Sequence, residues 1–166
     1  MKPRSIFTIW RVLGLCGLLG CCCCHSYAID LTSAGSWTRV VTESDLQGGA
    51  GSNLVATYTS NASEVSLSVT GTIDVADNWR IDVRRADDIW HDNLSLFVRR
   101  TGDGIGPGTI SGGGSYQEIT LTDAPLFSGA GDRTGVTLQL QLDGMSVSVP
   151  AAIYSTTITY TVVDVL

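Results

Sequence analysis

At 166 residues the chain has room for one ordinary domain, and sixteen acids against ten bases make it acidic. That balance argues against nucleic acid or anionic lipid held through the overall field.

The N-terminus reads as a leader. Lys2, Arg4 and Arg11 form a basic start, and an uncharged apolar run follows from Val12 to Cys24. "SYA" then offers Ser26 and Ala28 as the small residues of a cleavage site. The run is shorter than the roughly 20 residues that cross a bilayer as a helix. Residues 1–28 are therefore expected to be a signal peptide, and residues 29–166 a single secreted domain. A competing cut uses "LLGC", which resembles the bacterial lipobox: Cys21 would be lipidated and would tie the protein to a membrane in the envelope. All five cysteines lie between Cys16 and Cys24. Four in direct succession do not suit zinc, whose cysteines are spaced to converge on a tetrahedron. Removing the leader leaves seven arginines against sixteen acids, a net charge of −9, with no lysine and no cysteine.

Beyond Ile29 the apolar residues recur with period two. "IDLTSAGSW" alternates briefly through Ile29 and Leu31, as a first strand of its own domain or, less favored, a strand donated to a neighbor. "SWTRVVT" and "NLVATYT" are further strand candidates. "EVSLSVTG" sets Val65, Leu67 and Val69 against Ser66 and Ser68, and "NWRIDVRR" sets Trp79, Ile81 and Val83 against Arg80, Asp82 and Arg84. "NLSLFVRR" offers Leu94, Leu96 and Val98. Residues 101–115, "TGDGIGPGTISGGGS", read as a mobile glycine-rich loop. "YQEITLT" follows, and then "GVTLQLQLDG", with Val136, Leu138, Leu140 and Leu142 on one face and Thr137, Gln139 and Gln141 on the other. "MSVSVP" and "YSTTITYTVV" close the chain. Strict alternation marks strands with one buried face, and the β-branched and aromatic content agrees. Eight or nine such strands without crossover helices predict an all-β, antiparallel two-sheet sandwich of immunoglobulin-like or Greek-key type. A closed barrel is the alternative.

The residues that could carry chemistry are few. After Ile29 the one histidine is His91, in "ADDIWHDN". It has nearby acids but no serine in a nucleophile turn such as G-x-S-x-G, so no catalytic residue is assigned. "GDGIGPG" lacks the G-K-[ST] of a phosphate loop. Asp87, Asp88, Asp92 and Asn93 are placed together in one inter-strand loop, where their oxygens would suit calcium; a solvated acidic turn is the plainer reading. No other cofactor is implied. "VRR" occurs twice, so Arg84, Arg85, Arg99 and Arg100 are placed at the ends of neighboring strands. They are read as exposed cross-strand ion pairs or as forks for an acidic glycan. Trp79 is in phase with the core, whereas Trp90 is expected to stand exposed as a contact or sugar-stacking face. Asn61 and Asn93 match glycosylation sequons.

The closing stretch "GMSVSVPAAIYSTTITYTVVD" resembles the last strands of small bacterial surface β-sandwiches of the spore-coat-U-like, pilin-like and WxL types, through Tyr154, Ile158 and Thr159. The resemblance covers about the last 45 residues. It implies an extracellular or cell-surface role without catalysis. The wall-binding Trp-x-Leu motif is absent, since the tryptophan contexts here are "WTR", "WRI" and "WHD". The expectation is a secreted, non-enzymatic structural or interaction protein of the cell surface or matrix, with self-association as its partner mode. A carbohydrate-binding or adhesive module is the alternative, and a small hydrolase a third reading.

Overall fold

The computed structural model describes residues 28–165. Residues 1–27 of the expected leader, the lipobox Cys21 among them, lie outside. The described chain is all-β: ten strands, one short 3₁₀ turn at Glu43–Asp45, and no α-helix. The strands are β1 (Asp30–Gly35), β2 (Tyr58–Thr59), β3 (Val65–Thr70), β4 (Asn78–Ile89), β5 (Ser95–Gly102), β6 (Ile110–Gly112), β7 (Gln117–Glu118), β8 (Ala124–Ala130), β9 (Arg133–Asp143) and β10 (Ser155–Asp164). They form two antiparallel sheets. One runs β1-β3-β9-β5-β7, with β2 extending β3's side of β9; the other runs β10-β4-β8-β6.

The alternating faces meet between the sheets. Val65, Leu67 and Val69 from β3, Val136, Leu138 and Leu140 from β9, and Leu96 and Val98 from β5 pack with Trp79, Ile81 and Val83 from β4 in one buried cluster. This is the arrangement of a sandwich. Trp79 is fully buried, as its phase with Ile81 predicts; its indole N–H donates to the carbonyl of Gly131 at 2.8 Å, and its ring meets Phe127 edge to face. That bond answers the polar cost of burying an indole. Gly131, at φ 67°, takes the chain from β8 in one sheet to β9 in the other in two residues.

Several expectations change. The glycine-rich stretch 101–115 is not wholly loop: Ile110–Gly112 pairs with β8, and Ile105 bridges Thr134. Segments 36–42 and 145–150 contain no strand, and only Tyr58 and Thr59 of "NLVATYT" join a sheet. Strand β8 is an addition. Its alternation is broken because Leu126 and Phe127 are both buried, beside a register shift opposite Ile81 and Asp82. Its Pro125 lies beyond the three residues that β6 covers, where a missing N–H leaves no ladder bond unmade on that side. β1 pairs with β3 of its own chain over all six residues.

Candidate functional site

At the end of the sandwich that carries the β4–β5 connection, the two sheets part. The gap is a cleft of about 1320 Å³ between the end of β1 and the start of β10. Its walls are apolar: Val65, Leu96, Leu140 and Leu142 from one sheet, Ile158 and Tyr160 from the other. The irregular segments 36–46 and 149–154 form the rim, and Trp37 and Trp90 also line it. Segment 149–154 crosses from β9 in one sheet to β10 in the other, and segment 36–46 leaves β1 without joining a ladder beyond the single Leu46–Leu54 bridge, so their apolar side chains cover the cleft. That cover is incomplete. Ile153 is 85% exposed and Val40 70%, while Val147 and Ile89, in and beside the same connection, stand 64% and 57% exposed.

Little charge is available at the cleft. Arg39 and Glu43 are the charged side chains that line it. Arg39 is committed: it pairs with Asp45 and lies over the Tyr58 ring at 4.6 Å. The Asp45 carboxylate also accepts the backbone N–H of Thr42 at 2.8 Å, and that bond, with Arg39 beside it, holds its pKa below the ordinary carboxylate value. The Tyr160 hydroxyl is buried in the wall with no hydrogen-bond partner among the described residues, and burial pushes its pKa up, so it stays protonated. A buried O–H with no acceptor costs about 1–3 kcal/mol. It is a donor the fold leaves unused.

The residues picked from sequence are dispersed by this geometry. Trp90 is not exposed as expected. It is half-buried, its N–H donates to the Leu94 carbonyl at 2.8 Å, and the Arg85 guanidinium lies 5.0 Å from its ring center. The two "VRR" runs are not on neighboring strands: β4 and β5 belong to different sheets. Arg84 lies 3.6 Å from Asp123, whereas Arg85 turns the other way, pairing with Asp87 and donating to the Ile119 carbonyl at 3.0 Å. Arg100 donates to the Gly112 carbonyl and pairs with Asp103; Arg99 stacks on Tyr116 at 4.7 Å and donates to Gln139. The four guanidinium groups do not converge on one point: Arg84–Asp123 is an exposed pair across β4 and the start of β8, whereas Arg85–Asp87 and Arg100–Asp103 are local pairs along the chain.

The acidic cluster also separates. Asp87 and Asp88 are on strand β4, not in the loop; Asp87 is engaged by Arg85, and Asp88 lies at a register shift opposite Ser155 and Thr156. Asp92 and Asn93 follow in the connection, where the Asn93 N–H donates to the His91 ring nitrogen Nδ1 at 3.2 Å. Among the described residues no three His, Cys, Asp or Glu side chains come together as a metal site. The His91 ring packs edge-on against Tyr154, 6.0 Å away.

One polar hub had no signal in the sequence. Gln139, on the outer face of β9, accepts from Arg99 at 2.8 and 3.0 Å and from the Tyr116 hydroxyl at 3.0 Å, and donates to the Ser60 carbonyl at 2.8 Å. It ties β5, β7's approach and β2's end to one strand. In the alternating pattern it reads as any solvent-facing glutamine, because its partners are 23 to 79 residues away. Comparisons of the chain with protein-family models, curated proteins and solved structures match nothing.

Proposed function

We propose that this chain is a secreted, non-enzymatic interaction protein of the cell surface or extracellular matrix, and that the cleft is where it takes a partner. The observation that carries the reading is the cleft's chemistry. Large apolar side chains stand in solvent around an apolar groove whose one lining arginine is already paired. Such a patch on a small domain marks a contact surface. A neutral, apolar, extended protein segment suits it. The immunoglobulin-like assignment of the sandwich and the removal of residues 1–28 belong to the same reading. The glycan alternative has less support: Trp90, the expected stacking face, lies under Arg85.

The test is fractionation in the native host. Ile153→Asp and Val40→Asp place a charge on the rim, while Ile73→Asp places one on an exposed apolar residue in the β3–β4 connection. Rim variants should leave the surface or matrix fraction for the soluble medium, and Ile73→Asp should stay. Equal distribution of all three with the wild type would refute the role of the cleft. A cytosolic chain that retains residues 1–28 would refute the location.

A further inference from the structure

We infer that β10 is a self-pairing edge: two copies of this chain join β10 to β10 in antiparallel register about Thr159, making one continuous eight-stranded sheet. This rests on the interaction reading above and names a second copy as one of its partners, at the backbone edge of β10; Ile158 and Tyr160 also wall the cleft, but the rim residues Val40 and Ile153 lie outside the ladder.

The sheet edges are treated unequally. β6 and β7 are three and two residues long, and β1 has six, with Asp30 at its start and Gly35 at φ 131° ending it. Short strands, charges and irregular ends are how natural sheets avoid pairing edge to edge. β10 has ten residues, pairs only with β4 among the described residues, and carries no such device from Thr156 to Val163. That run, "TTITYTVV", has no charge, no proline and no glycine, and β-branched residues fill it apart from the aromatic Tyr160. Its outer row of backbone N–H and C=O groups has no strand partner among the described residues.

Orientation follows from the side chains. Ile158, Tyr160 and Val162 pack toward the core, and Thr157, Thr159 and Thr161 face the other way. Centering the two-fold on Thr159 sets Ile158 against Tyr160 of the second copy and Thr157 against Thr161. Apolar then meets apolar at Ile158–Tyr160 and hydroxyl meets hydroxyl at Thr157–Thr161 and Thr159–Thr159, while Thr156 meets Val162 and Ser155 meets Val163 nearer the ends. The same register leaves Asp164, β10's only charge, outside the ladder and the two copies' acids at opposite ends. Parallel pairing would instead bring the two Asp164 carboxylates side by side.

Residues 29–166 contain no cysteine, which makes disulfide mapping clean. Directly opposed antiparallel residues have Cα atoms about 4.5–5.5 Å apart, within disulfide reach. Under mild oxidation Thr159→Cys should cross-link to itself. Thr157→Cys and Thr161→Cys should fail alone and cross-link when mixed. Self-linking at all three positions would mean parallel pairing and would overturn the register.

Sedimentation of residues 29–166 gives the second arm. T157K/T161K should weaken the dimer at least tenfold, because the lysine at position 157 of each copy would face the lysine at position 161 of the other. T157E/T161K should restore it, because glutamate then faces lysine; in both variants the lysine at position 161 also lies beside Asp82 on β4, so that contact does not distinguish them. Melting temperatures near wild type confirm that both variants fold. A wild type that stays monomeric, or a dimer indifferent to T157K/T161K, would overturn the inference. A monomer that still needs its rim for the surface fraction would overturn β10 pairing alone and leave the cleft reading intact.

Discussion

Replacing Trp79 with phenylalanine tests the packing between the sheets most sharply. The indole is fully buried, lies edge-on to Phe127, and donates to the carbonyl of Gly131, itself buried. Phenylalanine would leave a gap of about 40 Å³, which at about 24 cal/mol per Å³ costs about 1 kcal/mol. Lost transfer energy of the missing ring atoms adds about 1 kcal/mol at about 25 cal/mol per Å². The orphaned carbonyl adds at least about 1 kcal/mol. The sum is about 3 kcal/mol. Urea unfolding of residues 29–166, followed by fluorescence and circular dichroism, reads it. With a slope of about 1.5–2 kcal/mol per M, the midpoint should fall by about 1.5–2 M with the slope unchanged. Trp90→Phe, at a half-buried site, should shift it by less than half as much. A Trp79→Phe shift below about 0.5 M would mean that the indole is neither tightly packed nor hydrogen-bonded between the sheets.

Gly129→Ala should destabilize by about 1–3 kcal/mol, because its Cβ would sit 2.4 Å from two ring atoms of Trp79, which has no room to retreat; Gly114→Ala, with nothing within 4 Å, is the control in the same melt. Gln139→Ala should cost about 1–2 kcal/mol by stranding the hydrogen bonds of Arg99, Tyr116 and Ser60, while Gln141→Ala, whose side chain holds only Asp143, should cost clearly less in urea titration. Asp132 accepts the Thr72 hydroxyl and backbone N–H, which lower its pKa in the folded chain. Its contribution is therefore present above the unfolded value of about 3.9 and is lost as pH falls through the lower folded one. The stability gap between wild type and Asp132→Asn, read from urea midpoints at neutral pH and at successively lower pH, should narrow across that range.

Strands with one clean buried face were legible from sequence, and those without one were not. β3 and β9 alternate strictly, and their buried residues are the ones the period assigns. β8 hides two adjacent apolar residues beside a bulge, and β6 sits among glycines, so neither shows a period of two. The opposite error arose at 36–42 and 145–150, where apolar residues alternate but serve the cleft's rim instead of a ladder. Local spacing could not reveal this, because the rim is assembled from segments more than 100 residues apart. The same limit governed the sites. The repeated "VRR" reads as two neighboring strand ends, but the chain changes sheets between Ile89 and Ser95 and sends the two pairs apart. Trp90 looked exposed because its neighbors are acidic; the packing that half-buries it, beside Leu94 and under Arg85, is invisible to composition.

The decisive property is whether the cleft's rim is covered where the protein works. With residues 29–166 free of cysteine, Ile153→Cys on the rim and Ile105→Cys, 81% exposed in the β5–β6 connection, can each be probed with a membrane-impermeant maleimide. The labeling is done on intact cells or matrix and again on purified protein. Position 105 should label in both settings and position 153 only after purification. Equal labeling of both positions in place would contradict a covered cleft, and failure of both to label from outside would contradict a surface protein.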